Sequence, residues 1–129
     1  MCYTLAMSRI FKTKVFMRWA DKYNVSDAIL VQAVQEMESG MITADLGGSV
    51  FKQRIPLPGQ GKRGGARTII AARLNERYFF LYGFAKNEQD NISKQELRLL
   101  QEAGQELLGL DSKTLRESID KHKIKEIKQ

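Results

Sequence analysis

Histidine and cysteine are nearly missing from this chain of 129 residues, which has one of each, His122 and Cys2. A transition-metal site needs several such ligands, or carboxylates, brought together. A Ser-His-Asp or Cys-His arrangement needs a histidine base beside its nucleophile. Both would have to draw on His122, in a basic C-terminal stretch, so neither is expected, and no metal or other cofactor is expected. A lone thiol makes no internal disulfide. Long apolar runs are missing too: none approaches the roughly 20 residues needed to cross a bilayer, so no membrane association is expected. The opening MCYTLAMSRIFKTK has no apolar core followed by a small-residue cleavage site. A cytoplasmic address is the expectation, and Met7 is an alternative start to Met1, because the recognisable pattern begins at Ser8. Proline is scarce, two residues, and both stand within PLPGQGKRGG.

Positive charge is present in excess, and it is concentrated. The net charge is +6, yet residues 1–49 carry five basic and five acidic side chains and are neutral. Residues 50–86 carry Lys52, Arg54, Lys62, Arg63, Arg67, Arg73, Arg77 and Lys86 against Glu76 alone, a net +7. Residues 87–111 come to −4 and residues 112–129 to +3. A block so one-sided gives up stability to self-repulsion unless something anionic binds it, and nucleic acid is the usual partner.

Periodicity gives the order of elements. Ile10 and Phe11 read as a short strand. Thr13 can cap a helix in which Phe16, Trp19, Ala20 and Tyr23 recur at helical spacing, and a second helix from about Ser26 carries Ile29, Leu30, Ala33, Val34 and Met37 up to a stop at Gly40. Residues 50–55 alternate as a strand, with Phe51 and Ile55 on one side and Lys52 and Arg54 on the other. Residues 56–65 cannot be regular structure and read as a basic loop. Strands over 67–74 and 78–85 follow, joined by a tight turn at Asn75-Glu76, and three adjacent antiparallel strands are the simplest arrangement. Ser93 with Glu96 is a capping box opening a helix, and Asp111 or Ser112 can cap a last short one. No repeat or linker interrupts the chain. The expectation is one α+β domain over 1–129: two helices, a small sheet, then helices, with 109–129 a short helical and basic tail.

The glycine loop is not a phosphate-binding loop of the Walker type. Pro56 stands where the first glycine belongs, and Arg63 follows Lys62 where serine or threonine belongs. What remains is an array of cations on a sheet. Lys52 and Arg54 share a strand face, Arg67 lies on the next strand, Lys86 ends the one after, and Lys62 and Arg63 lie on a loop able to fold over them. Such an array binds several phosphates, and Tyr78, Phe80, Tyr82 and Phe84 offer aromatic planes, most of them for the core. The array can also do chemistry on RNA, which brings its own nucleophile, the 2′-hydroxyl. Fixed cations hold the in-line geometry and neutralise the transition state, and a crowded lysine can have its pKa lowered enough to take a proton.

The segments FKTKVFMRWA, ADLGGSVFKQRIPLPGQGKRGGARTII and YFFLYGFAKNEQDNIS, the last leading into an ELRLL helix, resemble the RelE/ParE toxin family. The similarity is greatest to HigB-like and phage-associated members. GKRGGAR and GFAKNE, about 20 residues apart, are its specific part, and it covers roughly residues 9–108. It implies two N-terminal helices packed on a small twisted antiparallel sheet, with C-terminal helices after it. It implies ribosome-dependent mRNA cleavage, or less often gyrase poisoning, and neutralisation by an antitoxin, a DNA-binding protein in most such systems. The functional residues it implies are Lys52 and Arg54 for charge stabilisation and proton transfer, and Arg67 and Lys86 for clamping phosphate. Lys62, Arg63, Arg73 and Asn87 are the expected further RNA contacts. Two positions depart from the pattern: Asn87 stands where a second basic residue is common, and no tyrosine follows after Glu88, which leaves proton transfer unassigned. A gyrase inhibitor without nuclease activity, or a protein that only binds nucleic acid or its antitoxin, stays open on the same residues.

Overall fold

A computed structural model of the protein describes residues 8–59 and 65–129. Chain order is β1 (Arg9–Thr13), α1 (Lys14–Lys22), α2 (Asp27–Glu38), β2 (Ala44–Gly47), β3 (Val50–Ile55), β4 (Ala66–Arg73), β5 (Arg77–Ala85), α3 (Lys94–Leu108), α4 (Ser112–Asp120) and β6 (Ile124–Glu126). The class is α+β, with helices on both faces of one sheet.

Local signals set the helix ends. Thr13, Ser26, Ser93 and Asp111 each accept a hydrogen bond from the backbone N–H three residues on, satisfying a donor the helix leaves unpaired. At Ser93 the bond is reciprocated by Glu96, which completes the capping box. Gly40, with φ of +94°, follows α2 in the left-handed conformation glycine adopts freely.

The sheet has six strands in the order β2-β3-β4-β5-β1-β6. The central β3, β4 and β5 are antiparallel neighbours, as expected. The sheet as a whole is larger than the expected one and is mixed. β1 lies parallel to β5, because the connection between them holds two helices and a meander, long enough for a crossover. β2 pairs with β3 through the turn at Gly48-Ser49, and β6 pairs antiparallel with β1. The last segment is therefore part of the sheet and not only a helical tail.

Two cores lie on the two faces. Phe51, Ile55, Ile70, Tyr78 and Phe80 pack under α1 and α2 with Phe16, Leu30 and Met37. On the other face Phe11, Ala71, Phe79 and Leu81 meet Leu108 and Leu115, and Val50, Ile69 and Phe84 meet Leu97 and Leu100 of α3. α3 lies close to the sheet because Gly104 has no side chain: a Cβ there would stand 2.8 Å from that of Ala71. Among the described residues no helix is long and apolar enough to cross a membrane.

Candidate nucleic-acid interface

Strand alternation decides which cations meet. In β3, Phe51, Gln53 and Ile55 are buried, whereas Lys52 is half-buried and Arg54 exposed. The register sets Arg54 directly across from Arg67 and Arg67 across from Phe84. One step further, Lys52, Ile69 and Tyr82 form the next row. Side chains directly opposite on neighbouring strands have Cβ atoms about 5 Å apart, and residues two apart on a strand about 7 Å. Lys52, Arg54 and Arg67 are thus one cluster on the α3 face of the sheet, at the end where α3 begins. The Lys86 N–H donates to the Gly65 carbonyl at 3.3 Å, which carries the β4–β5 ladder one step beyond the strand and brings Lys86 to the same end.

Electrostatics mark the cluster as unfinished. None of Lys52, Arg54, Arg67 and Lys86 forms an ion pair among the described residues, where the pairs are Arg9–Glu126, Lys12–Asp27 and Lys22–Glu88. Arg67 is held below the ordinary arginine pKa, first by burial and then by the charge of Arg54 facing it. Like charges brought together without a counterion are stabilised when an anion bridges them. Glu88, a candidate partner for Arg67, is engaged elsewhere. Its carboxylate accepts from the Ala85 N–H at 3.0 Å and lies 3.7 Å from Lys22 Nζ. Its pKa is lowered chiefly by a hydrogen bond from Tyr23.

The other expected contacts are dispersed. Arg73 sits at the far end of β4 from Arg67, six residues or about 20 Å along the strand. There its guanidinium donates to the Leu108 carbonyl at 3.2 Å, beside Arg77, which donates to Leu110. The first satisfies the last carbonyl of α3 and the second a carbonyl two residues past it, a favourable place for cations. Asn87 is exposed but turns to the opposite face, lining a hollow with Lys22, Tyr23, Leu57 and Pro58. Lys62 and Arg63 lie outside the described residues.

Of the four aromatic residues that the sequence offers, Tyr82 is the part-exposed one that joins the cluster. Strict alternation from Tyr78 sends Tyr82 and Phe84 to the face of Phe80, under α1. The register instead shifts between Ile69 and Ile70, which pair with Tyr82 and Phe80 and leave Leu81 as the extra residue of a bulge. Beyond it every side chain changes face. Gly83 falls against Trp19 of α1, and Tyr82 and Phe84 fall on the α3 face beside the cations. Tyr82 is part-exposed, its hydroxyl donates to Gln89 at 3.2 Å, and its pKa is raised by burial, then by the charges of Glu96 and Glu88. Only the two-for-one count against β4 shows the bulge, and a single strand read alone gives no sign of it. Among the described residues no three His, Cys, Asp or Glu side chains come together as a metal ion would require.

Over residues 8–127 the chain matches the family described as the RelE toxin of the RelE/RelB toxin–antitoxin system. The chain belongs to the RelE toxin family. The protein is thus a toxin-family member, and membership implies a cognate antitoxin as its protein partner. No individual curated protein matches it.

Proposed function

We propose that the chain is an mRNA endoribonuclease of the HigB-like kind, which cuts message on the ribosome in the cytoplasm without a metal and so stops translation. The observation that carries the reading is the row of Arg54 facing Arg67, with Lys52 beside it and Lys86 at the same end, no carboxylate paired to any of them among the described residues. A scissile phosphate seated between Arg54 and Arg67 is gripped from two strands, and its doubly charged transition state gains more from them than its ground state does. Lys52, on the same strand face as Arg54, exchanges protons with the attacking or leaving oxygen in this reading. Lys86, and Lys62 and Arg63 of the loop, hold neighbouring phosphates. The whole chain acts in this reading as one toxin domain.

An asparagine at position 87, which cannot transfer a proton and lines a hollow with Lys22 and Tyr23, favours the rivals that cut nothing, an inhibitor of gyrase or a binder alone. One experiment separates them. Purified protein is added to a cell-free translation reaction, and message ends are mapped by primer extension beside Lys52→Ala and Arg67→Ala variants. The nuclease reading expects discrete cuts that need ribosomes and fall by about a hundredfold or more in each variant. Intact message with protein synthesis undisturbed gives the case to gyrase or to binding alone.

A further inference from the structure

Beside the cations is a feature that phosphate binding does not use. A shallow hollow of about 150 Å³ is lined by Tyr82, Leu99, Leu100 and Glu96. Leu99 is 64% exposed, the most exposed large apolar side chain among the described residues, although it lies on a helix whose other leucines pack on the sheet. Tyr82 is the diagonal cross-strand neighbour of Arg67, at a Cα separation of about 7–8 Å. The walls of the hollow are apolar, and the Glu96 carboxylate accepts from the Ser93 N–H, so nothing in it would hold a second phosphate. The walls suit an uncharged flat group attached to a phosphate that Arg67 already holds.

We infer that this hollow is a nucleobase subsite, in which one base of a single-stranded RNA lies against Tyr82 and Leu99 while its own backbone phosphate rests on Arg54 and Arg67. The inference rests on the nuclease reading for the choice of RNA and deepens it by naming where a base goes. The β5 bulge supplies the aromatic plane, since without it Tyr82 points under α1. The hydrogen bond to Gln89 fixes the hydroxyl and thereby the tilt of the ring. Planar stacking of this kind tolerates any base, so the subsite adds affinity and register more than sequence choice.

The test uses the full chain and a 2′-O-methyl RNA trinucleotide, which lacks the internal nucleophile and so stays intact. A matching trinucleotide without its central base is the control, and fluorescence anisotropy gives both affinities. The wild type is expected to prefer the complete trinucleotide about fivefold or more. Leu99→Ser, at an exposed position where the fold is indifferent, is expected to bring that ratio below about twofold with affinity for the abasic strand unchanged. Tyr82→Leu moves the same way, and Arg67→Ala weakens both strands together. A ratio of one in the wild type, or a ratio unchanged in Leu99→Ser, overturns the subsite. So does a Leu99→Ser variant whose only defect is towards the antitoxin, which would make the hollow a seat for an antitoxin side chain. Message left uncut while the base preference persists would sink the nuclease and leave the subsite standing.

Discussion

Tyr78 joins three parts of the fold through one oxygen. Its side chain is fully buried, its hydroxyl accepts from the Asn75 N–H in the β4–β5 turn at 2.9 Å, and it donates to Glu38 at the end of α2 at 2.9 Å. Burial, with the carboxylate of Glu38 beside it, pushes its pKa up to about 12 from 10.0, against the lowering pull of the Asn75 bond. The folded state therefore holds this proton more tightly than the unfolded chain. Stability from this group is complete below pH 10 and is lost as pH rises towards 12, on the order of 2 kcal/mol in all. Urea midpoints measured across that window should fall for the wild type and fall less for Tyr78→Phe; parallel curves would show that another group sets the alkaline limit. Gly83 is a steric counterpart. A Cβ there would lie 2.5–2.7 Å from three atoms of the Trp19 indole, a flat ring that cannot yield as a flexible chain can. Gly83→Ala should cost about 1–3 kcal/mol, read as a lower denaturation midpoint with an unchanged m-value.

At the scale of elements, what is local was legible and what depends on a distant partner was not. The caps at Thr13, Ser26, Ser93 and Asp111 could be read because each involves residues three apart. The β3 alternation was legible for the same reason, and with it the shared face of Lys52 and Arg54. β2 was missed because its alternation spans only the four residues ADLG, too short to stand out, and it becomes a strand by pairing with β3. The β5 bulge was invisible, so nothing set Tyr82 apart from the other aromatic residues of its strand, and Arg73 was counted among the RNA contacts by its charge although the strand's length separates it from Arg67. The capping box of α3 tests the local part. Ser93→Ala removes one half of it and should cost about 1 kcal/mol. Glu96→Ala should cost a similar amount, and the double variant clearly less than the sum, because the two bonds close one turn. Strictly additive losses would mean that the two bonds act separately. Since Leu97 and Leu100 of this helix pack beside Tyr82, the same loosening should reach the cation face.

For the molecule as a whole, residues 121–129 read as surplus charge, and the fold builds from them the short edge strand β6 and two buried isoleucines. In KHKIKEIKQ the lysines hide two isoleucines of opposite parity, and a strand sends those to opposite faces. Ile124 enters the core with Phe11 and Leu115, Ile127 the core with Ile10 and Phe16, and both are at least 96% buried. The pairing partner, β1, is more than a hundred positions away, and no local pattern names it. The strand is held further by Arg9, whose guanidinium donates to both oxygens of Glu126 at 2.7 and 2.8 Å. Hydrogen bonding from Arg9, opposed by burial, holds the Glu126 carboxyl below its ordinary pKa. Support from this pair is present above the unfolded pKa and is lost as pH falls through the lower, folded one. The isoleucines matter more, because a part-exposed ion pair is screened, whereas burying two such side chains stabilises by about 3–6 kcal/mol. Against a usual total of about 5–15 kcal/mol, a chain ending at residue 120 should lose most of its margin. Its thermal midpoint should drop by roughly 10 °C or more, with Ile124→Ala and Ile127→Ala each giving part of the fall. A truncated protein that melts with the full-length one would show that β6 lies on the sheet without supporting it.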